Sequence, residues 1–573
     1  MTSFYKILPL TSLLVILAGC GSGNSSEITN PTIALVPPVS SVIAAGSTLQ
    51  FQAKVSGTSN TAVLWFVNNI PGGNSTVGTI TPQGLYTAPN IPTSNGSVLI
   101  SVSPQAFPVI SSSIIIGITF ANVSLSGNYV FALKGTQAGS PLATAGSFTA
   151  NGDGTLNGIE DINGPSGISI ALTFSGSYLI NANGQGLATF TSAKGSTSLE
   201  FTLNTQGQAV IMSTDSGTVA SGSFYPQLSN ALTLTSLNAP FVFSLTGSDT
   251  LGNLVNTIGI FVTDGSNTFS YAEEDLNTGV TTANQAFTGT YSLGNNGPGT
   301  GKATFTDSMG TRTYDFYIIS ATQLQFIEVD NSGFLSGTVF EQQSVVDTTV
   351  LLGSYVYYTS GGIGSSAYGV AGGFATNTTS AGNINAGTND INEIGTLASN
   401  PTLTGSFTTG AYGRGTITLT GTNGATNYTY YFISPNAAFL ITSDPAINAS
   451  GQLFSQTGGF ITANLLGYYT LTQSSPANSS QPSSAVGLLT LNGNGALAGF
   501  MNTNTNGTVS GQQTVTGTDI VTTFTSTTST RGLANLTTSG GTSTDYVFYP
   551  ISNNAVIMLT SGYPAVATLV SQY

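Results

Sequence analysis

The 573-residue chain contains no histidine, one cysteine and few charged side chains. Without histidine it can form no His-based catalytic triad, no histidine metal site and no imidazole general base. Charged residues make up 5% of the chain, and eight Lys and Arg stand against 22 Asp and Glu. A surface so poor in cations cannot neutralise a run of phosphates, so nucleic acid is not an expected partner. Because no side chains suit ordinary acid–base turnover, we do not expect an enzyme.

The single cysteine, Cys20, closes an apolar segment near the N-terminus. Lys6 precedes the apolar run 7–17, and Leu-Ala-Gly leads into the cysteine. These are the parts of a secretory signal, and the apolar run is too short to span a bilayer as a helix. Residues 17–20 resemble the lipobox of bacterial lipoproteins. The resemblance implies a signal peptide over 1–19, lipidation of Cys20 and anchoring to a membrane by acyl chains.

Lipidation of Cys20 would exclude thiolate chemistry and Cys-zinc sites. Residues 20–29 are small and polar, and we interpret them as a flexible tether. Gly21 is not an acidic retention signal, which favours the outer membrane or the cell surface over the inner membrane. We therefore expect an extracytoplasmic, lipid-anchored protein.

The composition after the tether predicts an all-β protein. Hydrophobic residues make up 40% of the chain and glycine is abundant at 71 residues. This is too hydrophobic for disorder, and alternating apolar and small polar residues between glycine-rich turns are typical of strands. For example, Tyr129, Phe131 and Leu133 alternate with Val130 and smaller side chains.

Residues 30–120 have the pattern of a small sandwich. The only tryptophan, Trp65, lies in the run Val-Leu-Trp-Phe-Val-Asn, and the segments Gly72-Gly73-Asn74 and 84–89 follow it. These segments resemble bacterial Ig-like domains of the BIG2 kind, which implies a spacer or adhesive module. We expect Trp65 to pack in the core, as a strand tryptophan does in immunoglobulin-like sandwiches, rather than to stack on a ligand.

The rest of the chain repeats with a period of 114 to 116 residues, which we interpret as tandem domains. The predicted bounds are 123–228, 236–343, 350–457 and 464–573. Each repeat ends on a glutamine: Gln227, Gln342, Gln456 and Gln572. An upstream marker, mostly acidic, recurs as Glu160-Asp161-Ile162-Asn163, Glu274-Asp275-Leu276-Asn277, Asn389-Asp390-Ile391-Asn392 and Met501-Asn502-Thr503-Asn504.

Eight candidate strands in the first repeat favour an antiparallel up-and-down β-barrel, which leaves no exposed sheet edge. The alternative is a repeat built as a two-sheet β-sandwich. In strand count and meander order the repeat is similar to lipocalin- and avidin-type barrels. Because no diagnostic lipocalin motif is present, the similarity implies no ligand.

The acidic marker contains two neighbouring carboxylates in the first two repeats, and such pairs can hydrolyse glycosides. Glu160 and Asp161 are adjacent, however, so on a strand they point to opposite faces. The pair also decays to Asn389-Asp390 and then to Met501-Asn502. We therefore interpret the marker as a polar strand end whose side chains bind turn backbone, not as a catalytic pair.

Calcium is the one metal ion for which the chain has candidate ligands, and no other cofactor is expected. The candidates are Asp153, in the turn Asn-Gly-Asp-Gly, and the repeated series Asp215, Asp330 and Asp444. No complete EF-hand loop is present, and Asn-Gly-Asp-Gly is also an ordinary hairpin turn. Alternating tyrosines could bind sugars, but in strands we expect them in the core. They are Tyr355, Tyr357, Tyr358, Tyr428, Tyr430 and Tyr431.

Taken together, these features predict a lipid-anchored cell-surface protein with an adhesive or binding role toward a polysaccharide or a protein ligand. The alternatives are a passive structural stalk or envelope coat, and a small-ligand carrier that uses the barrel interiors. The plan resembles the Ig-like-repeat surface lipoproteins of soil bacteria such as acidobacteria. In this interpretation the four repeats extend outward in a row.

Overall fold

The computed structural model describes residues 30–228, 233–294, 296–297, 299–308, 310–343, 351–376, 382–422, 424–456, 460–476, 478–523 and 530–573. Cys20, the predicted signal peptide and the tether lie outside these ranges. Within them the chain consists of β-strands and four short 3₁₀ turns, which confirms the predicted all-β class. The turns are Asn122–Ser124, Leu234–Leu237, Ala411–Gly413 and Thr462–Asn464. None of the described segments is a helix of sufficient length and apolarity to cross a membrane.

Residues 30–120, here called the N-terminal unit, form three small sheets around one core. The sheet orders are β1-β4, β2-β11-β10-β5-β6 and β3-β9-β8-β7. The strands are β1 (Thr32–Val36), β2 (Val42–Ala44), β3 (Thr48–Gln50), β4 (Gln52–Ser56), β5 (Val63–Val67), β6 (Ile70–Pro71), β7 (Gly73–Asn74), β8 (Gly78–Ile80), β9 (Leu85–Thr87), β10 (Ser97–Pro104) and β11 (Ser112–Thr119). Trp65 is buried beside Phe51, with ring centroids 6.2 Å apart, so its predicted core position is confirmed.

Repeat 1 is a closed eight-stranded antiparallel barrel with an up-and-down strand order. Its last strand, β19, pairs with its first, β12. The strands are β12 (Ser126–Gln137), β13 (Ser140–Asn151), β14 (Thr155–Gly164), β15 (Gly167–Ile180), β16 (Gln185–Ser192), β17 (Gly195–Leu203), β18 (Ala209–Ser213) and β19 (Thr218–Pro226). All eight strands predicted from the sequence are present, and the sandwich alternative is wrong for this repeat.

Repeat 2 is a nine-stranded antiparallel sheet whose two end strands are β23 and β24. A single bridge between Thr268 and Thr290 joins the β22 side to β24. The strands are β20 (Pro240–Ser248), β21 (Leu254–Thr263), β22 (Phe269–Asn277), β23 (Thr281–Ala286), β24 (Thr288–Leu293), β25 (Thr300–Asp307), β26 (Gly310–Ser320), β27 (Gln323–Glu328) and β28 (Ser336–Glu341).

Repeat 3 closes into eight strands through the pairing of β30 with β31, and β32 pairs outside that circuit. The strands are β29 (Ser354–Ile363), β30 (Ser366–Thr376), β31 (Asn383–Glu393), β32 (Thr396–Asn400), β33 (Thr404–Thr409), β34 (Arg414–Gly421), β35 (Gly424–Ser434), β36 (Ala437–Thr442) and β37 (Ile447–Ser455). The sequence prediction of closed antiparallel barrels is therefore confirmed in more than one repeat.

Repeat 4 closes in the same way through β39 and β40, with the short β41 outside the circuit. The strands are β38 (Leu466–Ser474), β39 (Ser483–Asn492), β40 (Ala496–Thr505), β41 (Thr508–Val509), β42 (Gln513–Thr523), β43 (Thr530–Thr538), β44 (Ser543–Ser552), β45 (Ala555–Thr560) and β46 (Val566–Ser571).

Close approach of strands explains a recurring glycine in the last strand of the repeats. A Cβ on Gly222 of β19 would lie 1.8 Å from the carbonyl oxygen of Ala132 on β12. A Cβ on Gly337 or Gly451 would likewise lie 1.9 Å from a carbonyl oxygen on the first strand of its repeat. Any larger residue would force the closing strands apart, so glycine is needed where the backbones of these strands approach each other closely.

Aromatic and aliphatic side chains fill the interiors. Repeat 1 contains a cluster of buried phenylalanines: Phe131, Phe148, Phe174, Phe190, Phe201 and Phe224. Phenylalanine also dominates in repeat 2, tyrosine in repeat 3 and leucine in repeat 4. Each such side chain contributes about 1.5–3 kcal/mol by leaving water. The interiors are therefore packed cores over most of their length.

The repeats are arranged in a closed ring rather than in a row. Strand β13 of repeat 1 packs on β27 of repeat 2, β21 on β37, and β30 on β44. Strand β39 of repeat 4 then packs on β17, β18 and β19 of repeat 1. The row expected from the sequence is wrong, because the fourth repeat binds the first and the chain returns to its start.

Candidate functional site

The residues that mark each repeat in the sequence lie at the four contacts between repeats. We call repeats 1–2, 2–3 and 3–4 the inner junctions, and the contact of repeat 4 with repeat 1 the closing junction. At every junction the acidic marker of one repeat faces the following repeat. The alternation of strand β14 explains how: Glu160 faces the interior of its own barrel, whereas Asp161 and Asn163 face outward.

The asparagine of the marker makes the same contact at all four junctions. The Asn163 side-chain amide donates to the backbone oxygens of Glu328 and Gly333 in repeat 2, both at 2.9 Å. Asn277, Asn392 and Asn504 do the same to the next repeat in the ring. All four are buried. The marker therefore binds turn backbone, as predicted, but that backbone belongs to the neighbouring repeat.

The aspartate of the marker accepts a buried tyrosine hydroxyl at each inner junction. Tyr317 donates to Asp161 at 2.8 Å, Tyr431 to Asp275 at 2.8 Å and Tyr549 to Asp390 at 2.6 Å. Burial raises the pKa of each of these tyrosines well above its ordinary value. The phenols are therefore neutral hydrogen-bond donors at neutral pH.

An arginine completes two of the inner junctions. Arg414 binds Asp275 through two nitrogens at 2.8 and 2.6 Å, and Arg531 binds Asp390 at 2.6 and 2.8 Å. Such bidentate pairs are strong and geometrically specific. Hydrogen bonds to Asp275 raise the pKa of Arg414. Burial lowers the pKa of Arg531, but Asp390 outweighs that effect and the net shift is upward.

The junction between repeats 1 and 2 has no arginine at the matching position, which is Thr300. There Asp161 accepts the amide of Ala171 at 2.7 Å in addition to Tyr317. Burial raises the pKa of Asp161 to about 6, although both of these hydrogen bonds lower it. Lys302 lies nearby and pairs with Asp315 at 2.8 Å.

The glutamine that ends each repeat also crosses a junction. The side-chain amide of Gln227 donates to the carbonyl of Ile318 at 2.8 Å, and Gln342 donates to Phe432 at 2.7 Å. Gln456 and Gln572 make the matching bonds to Pro550 and Leu203. In each case the acceptor directly follows the marker's tyrosine partner or its equivalent.

Apolar clusters surround the polar contacts at the inner junctions. Buried residues of both partners meet in each cluster, as Val130 and Ile327 do between repeats 1 and 2. Val356 and Ile557 meet in the same way between repeats 3 and 4. A further cluster joins repeats 2 and 3. The inner junctions therefore resemble small protein cores with a polar centre.

The closing junction replaces the ionic centre by neutral groups. Asn502 stands in place of the aspartate, Thr202 in place of the tyrosine and Gln185 in place of the arginine. Within the described residues, Asn502 Oδ1, Thr202 Oγ1 and Gln185 Nε2 are buried with no hydrogen-bond partner. A cavity of about 30 Å³, lined in part by Lys134 and Ser484, also lies between these two repeats. It has room for about one water molecule.

The N-terminal unit covers the closing junction. Phe120 is buried, and its ring centroid lies 6.2 Å from that of Tyr573, which in turn lies 5.4 Å from Tyr468 of repeat 4. The amide of Phe120 donates to Ala182 of repeat 1 at 3.1 Å. A Cβ on Gly96 would lie 3.2 Å from the Tyr573 ring. The unit therefore contacts both partners of the closing junction.

The candidate calcium ligands lie apart, and each binds backbone in its own repeat. Asp153 accepts the Thr155 amide at 2.9 Å, and Asp215 accepts that of Ser198 at 3.0 Å. Asp330 and Asp444 accept the amides of Thr313 and Asn427 in the same way. No group of three His, Cys, Asp or Glu residues that could hold a metal ion occurs in the described ranges. The repeated aspartates thus fix a loop beside a strand.

The tyrosines considered as sugar ligands are mostly core residues. Tyr355, Tyr357, Tyr428, Tyr430 and Tyr431 are buried, and Tyr358 is partly buried. The first four belong to the interior of repeat 3, whereas Tyr431 lies at a junction. These rings have no free face for a sugar, so the core alternative is correct for them.

The outer wall of the repeats is a lattice of exposed hydroxyl and amide groups. Paired hydroxyls occur at Thr191–Ser196, Thr290–Thr304, Thr306–Thr311 and Thr408–Thr416, at 2.7 to 3.0 Å. Thr418–Asn427 and Asn535–Ser543 extend the pattern at 2.9 Å. On repeat 1 an open groove of about 550 Å³ runs between Asn157, Ser175 and Thr189.

The tyrosines and arginines that bind the marker were not predicted from the sequence to have this role. The sequence contains a signal for them when the marker of one repeat is compared with the residues of the following repeat. Where a repeat carries Asp275 or Asp390, the following repeat carries a tyrosine and an arginine at matching positions. Where repeat 4 carries Asn502, repeat 1 carries Thr202 and Gln185. Such paired changes indicate contact between a repeat and its successor, including the contact that closes the ring.

Comparisons with known proteins did not identify a family or a curated relative of this chain. No protein-family description matches the chain, and no curated protein matches it. A solved structure of the P pilus usher (PapC) translocation pore aligns over 77% of this chain and 97% of its own length. The sequence identity is 10% and the TM-score is 0.12, so the alignment supports no inference about fold or function.

Proposed function

We propose that the chain is a lipid-anchored cell-surface protein that binds a neutral polysaccharide through the outer walls of its ring. The observation that carries the proposal is the lattice of exposed hydroxyl and amide pairs, which recurs on all four repeats. Neutral sugars present the same groups, so each exposed pair can exchange hydrogen bonds with them. The low charge of the chain adds no selection for an ionic polymer.

The ring could combine several weak contacts with a polysaccharide into strong overall binding. Four similar walls on one rigid body allow a long polymer to bind at several places at once, which raises the overall affinity without a strong single site. Rigidity follows from the junctions, because Asp390 and Asn392 of repeat 3 both bind repeat 4. In this proposal the marker residues serve assembly of the ring, and the wall serves binding.

The remaining parts of the proposal concern anchoring and the N-terminal unit. Acyl chains on Cys20 would hold the protein at the membrane, and an Ig-like N-terminal unit would act as a spacer. A Cys20→Ala variant should move from the membrane fraction to the soluble extracytoplasmic fraction. Retention of that variant in the membrane would contradict acyl anchoring.

Two alternative functions are a passive envelope coat and a carrier of small ligands. A passive envelope coat would need the ring but not the wall, and it would bind no sugar. A carrier that uses barrel interiors requires space, and the phenylalanines of repeats 1 and 2 fill most of theirs. A binding experiment separates the first alternative from our proposal.

The experiment uses the mature chain, 20–573, on arrays of neutral and acidic polysaccharides. We expect retention on one or more neutral polymers. A variant with Thr290→Lys, Thr304→Lys and Thr408→Lys should lose it because the three lysines disrupt two hydroxyl pairs, Thr290–Thr304 and Thr408–Thr416. The matched control places three lysines at exposed positions outside these pairs: Ser140 at the start of β13, Thr250 in the turn after β20 and Thr278 after β22. Equal retention of wall variant and control, or no retention at all, would contradict the proposal.

A further inference from the structure

One end of the repeat 1 barrel opens into a cavity of about 310 Å³. Phe131, Phe190 and Leu199 form its apolar floor, and Glu160 lies in its wall. This volume is at the lower end of the range found for small-ligand sites, and an apolar floor with one polar anchor is their usual composition. The cavity is distinct from the outer wall. It borders the closing junction, because the backbone oxygens of Ser213 and Thr218 in its lining accept the Asn504 amide.

Glu160 is a buried carboxylate with little to compensate it. Its side chain is 4% exposed and faces the barrel interior. A hydrogen bond with Ser192 is its one described polar contact. Burying an ionised carboxylate without a cationic partner is unfavourable, so the Glu160 side chain is stabilised either by taking up a proton or by pairing with a cation.

Repeat 2 contains that positive group within the chain itself. Glu274 occupies the matching position, and Arg312 binds it in the interior of the sheet. Arg312 also pairs with Asp307 at 2.8 Å. The registers of the two repeats place Thr197 where repeat 2 has Arg312, and Ser192 where it has Asp307.

Two further side chains are smaller in repeat 1 than in repeat 2. Leu199 replaces Tyr314, and Ser213 replaces Glu328. At these four positions the side chain is therefore smaller in repeat 1, whereas the glutamate is retained. The cavity occupies the space that the Arg312 side chain and its neighbours take in repeat 2.

Repeats 3 and 4 have no carboxylate at this position. Asn389 replaces it in repeat 3 and exchanges hydrogen bonds with Tyr357 and Asn400, both at 2.8 Å. Met501 replaces it in repeat 4, where it joins the apolar core. At this marker position, repeat 1 alone among the four has a carboxylate to which no described cation binds.

We propose that the cavity of repeat 1 binds a small organic cation, with an ammonium or guanidinium group on Glu160 and an apolar body against Phe131 and Phe190. Arg312 in repeat 2 shows the interaction that such a ligand would reproduce. Aromatic rings beside a cation add a further attraction through their faces.

The charged groups at the rim act in opposite directions. Lys194 and Asp215 both line the cavity, and Asp215 accepts the amide of Ser198. Burial raises the pKa of Glu160 to about 7, Ser192 lowers it, and Asp161 on the opposite face of β14 raises it. Since a cation prefers the ionised carboxylate, binding should strengthen as the pH rises from 6 to 8 and should release a proton.

The test is isothermal titration of the mature chain with n-butylguanidinium and n-butylammonium, against n-butanol as the neutral isostere. We expect saturable binding of one equivalent of either cation and none of butanol. Glu160→Gln should weaken binding at least tenfold and remove its pH dependence. Asp153→Asn, an exposed carboxylate outside the cavity, is the control and should change nothing.

A second variant keeps the proposal testable if Glu160→Gln folds poorly. The pair Thr197→Arg and Ser192→Asp introduces the groups of repeat 2, so it should abolish binding and raise the melting temperature. Binding that survives in this variant, or equal binding of butanol and the cations, would overturn the proposal. The lysine variants of the outer wall should leave cation binding unchanged, which separates this site from polysaccharide binding.

Discussion

The junction between repeats 3 and 4 and the closing junction between repeats 4 and 1 have the same geometry but different chemistry. Both use a buried asparagine and a glutamine that bind the neighbour's backbone. Only the first has an aspartate bound by Arg531 and Tyr549. The backbone-directed amides thus define the arrangement of repeats, and the ionic centre is an addition to it.

Ring closure offers a physical reason for the difference. Once three junctions have formed, repeats 4 and 1 belong to one molecule and meet at a high effective concentration. A weaker contact then suffices to close the ring. The N-terminal unit adds Phe120 and its contact with Tyr573 at this point. The unsatisfied Thr202 and Asn502 atoms are therefore tolerated where closure has other support.

The largest effect should come from removing a carboxylate at an inner junction. Asp390→Ala removes the buried carboxylate that Arg531 and Tyr549 bind, and breaking a buried ion pair costs about 3–5 kcal/mol. Asn502→Ala at the closing junction removes an amide whose oxygen already has no partner, so it should cost less than about 1 kcal/mol. Urea denaturation of both variants measures the difference. Equal losses would show that the closing junction is as strong as the inner one.

The N-terminal unit provides the second test. Phe120→Ala should cost about 3 kcal/mol, the usual value for a buried phenylalanine. Its distinctive effect should be local, because Phe120 lies beside the closing junction. We expect faster amide hydrogen exchange in 198–213 and 484–504, with no change in β44 or β30. Uniform acceleration throughout the ring would contradict a specific role in closure.

The sequence was sufficient for the strands of repeat 1 but not for the ring. Alternation such as Tyr129, Phe131 and Leu133 predicted strands that are observed, because a strand has one inward and one outward face. The closing glutamines and the marker gave the correct period. Their role was not evident, since a side chain such as Gln227 binds a backbone carbonyl, Ile318, that any residue could supply.

Glu160 shows a second limit of the sequence analysis. Adjacency correctly separated it from Asp161, but its surroundings depend on strand register. The cavity beside it arises because Thr197 and Ser192 are smaller than Arg312 and Asp307, the residues at the matching positions of repeat 2. Only the observed strand registers show that Arg312 of repeat 2 occupies the position of Thr197 in repeat 1.

An aspartate introduced alone at the closing junction should be harmful, and an arginine should repair it. Asn502→Asp places a carboxylate among buried neutral groups and should cost about 2 kcal/mol. Adding Gln185→Arg supplies the cation at the position of Arg531, so the double variant should recover most of that loss. A double-mutant cycle gives the coupling energy. Purely additive effects would show that the two positions do not meet as Asp390 and Arg531 do.

The smallest difference is expected for the glutamines, which the two kinds of junction share. Gln342→Ala and Gln572→Ala each remove a side-chain amide that donates two hydrogen bonds to carbonyls of the next repeat. Each bond contributes about 1 kcal/mol and leaves a buried carbonyl unpaired when lost, so both variants should be destabilised by about 1–3 kcal/mol. The values should agree within about 0.5 kcal/mol because the geometry is the same. Thermal and urea unfolding of the pair measures this, with Gln206→Ala in an exposed turn as the control. If Gln572→Ala were silent while Gln342→Ala was not, repeats 4 and 1 would be separated in solution, and the ring would be open at that junction.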